Sequence, residues 1–147
     1  MKILFVCTGN TCRSPMAAVY FAALCRRAGR TDIEARSAGI YGKAGSLASE
    51  PAKQVVRESG LELDTFRGSA LTKQMIEAAD LIVAMTAGHL THITAMTPDA
   101  AKKSRSLLKG GDVADPFGGN CAEYRVCFEQ MKKALENLFL DLKNELL

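Results

Sequence analysis

No stretch of this chain stays apolar long enough to cross a membrane, and no run of basic residues is long enough to track a nucleic acid. The 19 lysines and arginines stand against 16 aspartates and glutamates, so the formal net charge is only +3. Pairs such as Arg26-Arg27 and Lys102-Lys103 are expected on solvated helix faces rather than against phosphates. Histidine is scarce. The two present, His89 and His92, fall three apart in one helical pattern, and no further histidine or cysteine is placed to complete a zinc site. Both read as ordinary helix residues. The five cysteines follow no regular framework. Cys25 reads as packed core, and Cys121 and Cys127 flank the start of the last helix with no partner cluster for a metal. Thiols in such an arrangement suit a reducing, cytoplasmic setting. The six residues ahead of Cys7 leave no room for a signal peptide before it. Internal repeats and domain linkers are absent too, so residues 1–147 are expected to form one domain able to bury its own core.

What the chain does contain is an alternation of short apolar runs with helical patterns. Residues 2–6 are a buried-strand candidate. Residues 14–28 read as a helix with Ser14 as N-cap, Pro15 at the first helical position and Gly29 as its stop. A second strand is predicted over 33–38, closed by Gly39. The glycine- and serine-rich stretch 42–49 leads into a helix that starts near Glu50-Pro51 and ends before Gly60. A short helix follows from Thr72. Residues 81–85 are the clearest strand, apolar throughout, with Thr86 placed to cap the next helix. Residues 104–108 predict a fourth strand and 109–120 a glycine-dense loop. From about Ala122 a long amphipathic helix carries Tyr124, Phe128, Met131, Leu135, Leu138, Leu142 and Leu146 at steps of three or four, a core-facing stripe. Strands alternating with helices predict a three-layer α/β/α fold around a four-stranded parallel sheet. Ligands in such folds bind at the carboxyl ends of the strands.

One segment at such an end carries chemistry. Cys7-Thr8-Gly9-Asn10-Thr11-Cys12-Arg13, followed by Ser14-Pro15, leaves the first strand and enters the first helix. A strand–loop–helix of this kind offers backbone N–H groups and a helix N-terminus to an anion. The cradle holds a thiol at one end and a guanidinium at the other, a pairing suited to nucleophilic attack on phosphorus. A helix N-terminus and an adjacent cation favour a cysteine's thiolate, and Ser14 can add a hydroxyl hydrogen bond. The forked Arg13 group and the loop amides match the oxygens of a phosphoryl group. Gly9 is expected to permit a turn that no side chain would allow, and Asn10 to take left-handed geometry. Asp115, held before Pro116 in a glycine-flanked loop, is the best candidate acid for a leaving group. Taken alone, Asp-Pro is a common turn opener.

With these residues in place, the sequence resembles the low-molecular-weight protein-tyrosine-phosphatase family over nearly its whole length. The signature of Cys, five residues, Arg and Ser stands at Cys7 to Ser14. Ser37-Ala38-Gly39 sits where that family has a short serine–glycine turn, residues 79–85 look like its central strand, and Asp115-Pro116-Phe117 looks like its acid loop. The resemblance implies a flavodoxin-like fold and a two-step mechanism. Cys7 would attack phosphorus, Arg13 and residues Thr8, Gly9, Asn10, Thr11, Cys12 and Ser14 would hold the phosphoryl group, and Asp115 would act as acid and then base. Asn10 and Ser37 would keep the loop in shape, and Tyr41 and Phe117 would wall the pocket. No metal or organic cofactor is implied. The implied partner is a phosphorylated protein, met by a monomer.

Two positions depart from the tyrosine-directed pattern. Thr11 stands where many members carry isoleucine or leucine, and Gly118 where a second aromatic often follows. The combination resembles the protein-arginine-phosphatase branch. A branched, partly polar wall disfavours a flat phenyl ring and suits a guanidinium, whose N–H groups can pair with Asp115. Phosphoarginine is therefore the expected substrate, with phosphotyrosine the alternative. Thioredoxin-coupled arsenate reductases need resolving cysteines in mid-chain, and there is none between Cys25 and Cys121. A non-catalytic phosphate-binding module is disfavoured by the joint presence of Cys7, Arg13, Ser14 and Asp115. Cys12, five residues after Cys7, either captures an oxidised Cys7 as a disulfide or simply packs beneath the loop.

Overall fold

The computed structural model describes residues 1–145. Four strands form one parallel sheet in the order β2-β1-β3-β4, with β1 at Lys2–Cys7, β2 at Glu34–Gly39, β3 at Leu81–Ala84 and β4 at Ser104–Ser106. Among the described residues five α-helices accompany it: α1 Arg13–Arg27, α2 Glu50–Arg57, α3 Lys73–Ala78, α4 Ala87–Met96 and α5 Cys121–Glu145. A 3₁₀ turn, Pro98–Lys103, leads into β4. The three-layer α/β/α arrangement around a four-stranded parallel sheet matches expectation.

Alternation along β1 divides the core in two. Ile3, Phe5 and Cys7 face α1, α2 and α5, where they join Met16, Phe21, Val55, Phe128, Met131 and Leu135. Leu4 and Val6 face the other way and pack with Ile76, Ile82 and Ile93 on the side of α3 and α4. The α5 stripe is buried at Tyr124, Phe128, Met131, Leu135, Leu138 and Leu142, as its periodicity predicts; Leu146 lies outside the described residues. Cys25 is core, as expected.

Several local expectations need correction. Ser14 does not cap α1. The helix already begins at Arg13, Cys12 occupies the cap position at φ −126°, and no side chain caps it. Pro15 accordingly falls at the third helical position rather than the first. β4 is shorter than 104–108, because after Leu107 donates to the Ala84 carbonyl the chain turns away from the ladder. Lys103 is not on a solvated helix face. Its ammonium donates to the Glu77 and Ala79 carbonyls and closes the end of α3. Gly29 does stop α1, at φ 69°. Among the described residues no helix is long and apolar enough to cross a membrane.

Candidate active site

The loop between β1 and α1 lies where the strand order reverses, at the carboxyl ends of β1 and β3. The helix beginnings show why an anion suits it. Ser49 accepts from the Ala52 N–H at α2, Thr72 from Met75 at α3, Thr86 from His89 at α4, and Asn120 from Glu123 at α5. Among the α-helices of the described residues, α1 alone has no such side-chain cap, so its first N–H groups are left for a ligand.

Loop shape is set by one buried side chain. Asn10 is fully buried and holds φ 57°, the left-handed geometry expected of it. Its amide nitrogen donates to Ser14 Oγ at 2.8 Å and Ser37 Oγ at 3.0 Å, and its Oδ1 accepts the Ser69 N–H at 2.8 Å. Three chain segments are thereby tied to the loop. The glycine that permits the loop is not Gly9. A Cβ on Gly9 would meet only Thr11 Oγ1, at 3.6 Å, an ordinary contact. A Cβ on Gly39 would lie 2.7 Å from the Thr8 carbonyl oxygen and 2.8 Å from Asn10 N. The requirement sits on β2, where the strand passes under the loop.

A cleft of about 330 Å³ opens above this frame, lined by Cys7, Thr8, Gly9, Thr11, Cys12, Arg13, Tyr41, Asp115 and Phe117. Cys7 is buried, with Ser14 Oγ 2.8 Å from its sulfur. Because Ser14 Oγ also accepts from Asn10, its own proton is free to point at Cys7. Arg13 is 4% exposed and donates from Nη1 to the Val113 carbonyl at 3.0 Å and from Nη2 to Thr8 Oγ1 at 3.2 Å. The Asp115 carboxylate lies 3.6 Å from Arg13 Nη2, half exposed at the rim, and its Oδ1 accepts the Phe117 N–H at 3.0 Å. Tyr41 and Phe117, both well exposed, stand at the mouth. Cys12 lies under the loop, its sulfur 3.0 Å from Tyr124 Oη. Burial and that contact push the Tyr124 hydroxyl up to about 12, and burial does the same to the Cys127 thiol. Both stay protonated at neutral pH.

The cleft thus brings together nine of the expected site residues, with Asn10, Ser14 and Ser37 beneath them as the frame. Sequence reasoning missed four supports: Ser69, Tyr124, His89 and Ser49, whose N–H donates to the Thr11 carbonyl at 2.9 Å and whose hydroxyl donates to Tyr124 Oη at 3.2 Å. His89 is the main correction, since it is no ordinary helix residue. It is 6% exposed, its Nε2 sits 2.9 Å from Thr8 Oγ1, and burial, reinforced by Arg13, pushes its pKa down to about 4. Its spacing from His92 carries no hint of this. His92 packs edge-on to Tyr41. Among the described residues no group of three or more His, Cys, Asp or Glu is placed to hold a metal ion.

A cysteine at the floor of an uncapped helix start, with a buried guanidinium beside it and a carboxylate at the rim, defines a phosphatase that works through a thiol. The family model for low molecular weight phosphotyrosine protein phosphatase matches residues 2–146, and the chain belongs to that family. It is 41% identical to a protein-arginine-phosphatase of Geobacillus stearothermophilus over 98% of this chain and 97% of that one. It is 35% identical to a low molecular weight protein-tyrosine-phosphatase of Streptomyces coelicolor, over 98% and 94% respectively. Among solved structures, a YwlE arginine phosphatase mutant with a phosphorylated active-site serine superposes with TM-score 0.92 at 35% identity, covering 97% of this chain and 96% of that one.

Proposed function

We propose that this phosphatase hydrolyses phosphoarginine on proteins through a phosphocysteine at Cys7. The observation that carries the reading is the position of Thr11 in the wall of the cleft that also holds Cys7, Arg13 and Asp115. A hydroxyl on this wall takes away apolar surface on which a phenyl ring would pack and gives a guanidinium a polar neighbour. The printed name of the Geobacillus relative, a protein-arginine-phosphatase, supports the same substrate.

In this mechanism the Cys7 sulfur attacks phosphorus as the P–N bond breaks. Asp115 gives its proton to the departing guanidine nitrogen, and Arg13 and the amides of residues 8–14 hold the three phosphoryl oxygens. Water then attacks the cysteinyl-phosphate, Asp115 takes its proton, and inorganic phosphate leaves with the thiolate restored. The same reading takes residues 1–147 as one domain that acts as a monomer on phosphorylated proteins, without metal or organic cofactor. Phosphotyrosine is the second reading. The exposed rings of Tyr41 and Phe117 at the mouth keep it open, since aromatic faces stack on a phenyl ring as they do on a guanidinium plane.

Matched phosphoarginine and phosphotyrosine peptides assayed side by side test the proposal. Wild type should favour phosphoarginine, and Thr11→Ile should move the ratio toward phosphotyrosine by about 10- to 200-fold, the scale of one changed wall contact. A wild-type preference for phosphotyrosine, with the ratio unmoved in the variant, would make the chain tyrosine-directed.

A further inference from the structure

Thr8 follows the nucleophile and lines the cleft, yet its hydroxyl is already met by two protein groups. Arg13 Nη2 lies 3.2 Å from Thr8 Oγ1, and a guanidinium has no acceptor, so here Thr8 must accept. His89 Nε2 lies 2.9 Å from the same oxygen and can hold either role, depending on its tautomer. The second ring nitrogen settles the choice. His89 Nδ1 is buried and has no hydrogen-bond partner among the described residues. If Nδ1 carried the proton, a buried N–H would be orphaned, which folded proteins almost never tolerate. With the proton on Nε2, the orphan is a bare ring nitrogen and the N–H is satisfied by Thr8. The imidazole is held neutral by burial and by the Arg13 charge, so it does not carry both protons near pH 7.

A hydroxyl has two lone pairs and one proton. With both lone pairs occupied, by Nε2–H and Nη2–H, the Thr8 proton is all that remains. It has no protein acceptor among the described residues. We propose that His89 is a positioning residue which, together with Arg13, commits the Thr8 hydroxyl to donate into the cleft, onto an oxygen of the tetrahedral anion held above Cys7. The proposal rests on the cleft being a phosphate site. It adds to the loop amides a side-chain donor whose direction is fixed by a residue on α4.

The first test is made on the unmodified protein. Nitrogen-15 NMR of the His89 ring at pH 7 should show Nε2 protonated and Nδ1 bare; the opposite tautomer would make Thr8 the donor to His89 and overturn the proposal. The second reads inorganic phosphate binding by calorimetry and needs no turnover. Thr8→Val should weaken phosphate about 10- to 100-fold, the scale of one hydrogen bond to a charged group, while Thr8→Ser should retain it. His89→Leu should show a similar loss alone but almost none in the Thr8→Val background, and His89→Gln, which keeps an N–H at comparable reach, should recover most of it. Equal losses from His89→Leu in both backgrounds would mean that His89 acts through general packing, and the inference would fail. The catalytic reading is judged separately by turnover of Cys7→Ser. An active Cys7→Ser enzyme that retained the Thr8-dependent phosphate binding would overturn the nucleophile and leave the donor standing.

Discussion

Two side chains in contact with the reacting centre make separable demands. Ser14 Oγ lies 2.8 Å from the Cys7 sulfur with one lone pair already taken by Asn10. Its proton is therefore aimed at the Cys7 sulfur, and when that sulfur carries charge for attack a hydrogen bond to it contributes about 1.5–3 kcal/mol. Ser14→Ala should slow alkylation of Cys7 by iodoacetamide at pH 7 by roughly 10-fold or more, with circular dichroism unchanged. An unaltered alkylation rate would show that the serine serves only to hold Asn10. Asp115 is exposed at the rim rather than buried, so its removal should leave the fold intact. Loss of a positioned acid costs around 10²–10⁴-fold. Asp115→Ala should lose activity on that scale toward phosphoarginine peptides and much less toward an aryl phosphate with a good leaving group. Equal losses on both substrates would assign Asp115 to positioning Arg13. Most of these residues could be read from the sequence, because Cys7, Arg13 and Ser14 share one short segment and Asp115 is marked by Pro116. Ser14 was legible as a residue of the site but not as a helical one. Its hydroxyl fits an N-cap equally well until the geometry shows that it serves the thiol.

At the scale of elements, the strand–loop–helix unit owes its shape to a neighbouring strand. Gly39 ends β2 beside Cys7 in the sheet register, and a Cβ there would press on three backbone atoms of the loop, which cannot swing aside as a side chain would. Gly39→Ala should cost about 1–3 kcal/mol, the range for an overpacked site. The damage should concentrate in phosphate binding, because the loop is what has to move. Gly9→Ala should alter the urea midpoint far less, since its Cβ has room. If the two variants are equally stable and Gly39→Ala binds phosphate normally, the close approach is not what shapes the cradle. The sequence pointed to Gly9 because it lies inside the motif. The structure assigns the constraint to Gly39, remote in the chain, since a clash between two segments belongs to neither pattern alone. Helix starts were more legible. Thr86 caps as read, and the short helix expected from Thr72 does start there with Thr72 as its cap, because capping joins a side chain to an N–H three residues on.

Across the whole molecule, the parallel sheet delivers the site by topology. β1 sits between β2 and β3, so the loop after it meets Ser37 and Gly39 from one side and α4 from the other. The first meeting was legible, through the resemblance carried by Ser37-Ala38-Gly39, which the structure places at the end of β2. The second was not, because two histidines three apart in a helix look alike until packing buries one of them. That burial links the site to the stability of the entire chain. The His89 imidazole sits within the fields of Arg13, Asp112, Asp115 and His92, and with burial the dominant effect its folded pKa falls from 6.5 to about 4. Once unfolded, it takes a proton near pH 6.5, whereas the folded chain resists until about pH 4. In between, unfolding binds a proton, so His89's contribution is fully present above pH 6.5 and is lost progressively down to pH 4. The loss is at most about 3 kcal/mol, taking 1.36 kcal/mol per pKa unit. Urea unfolding at pH 7 and pH 4.5 should show this fall in wild type, and a markedly shallower fall in His89→Gln, which cannot titrate. Parallel slopes in the two proteins would place the acid sensitivity in the carboxylates and leave His89 without a role in it.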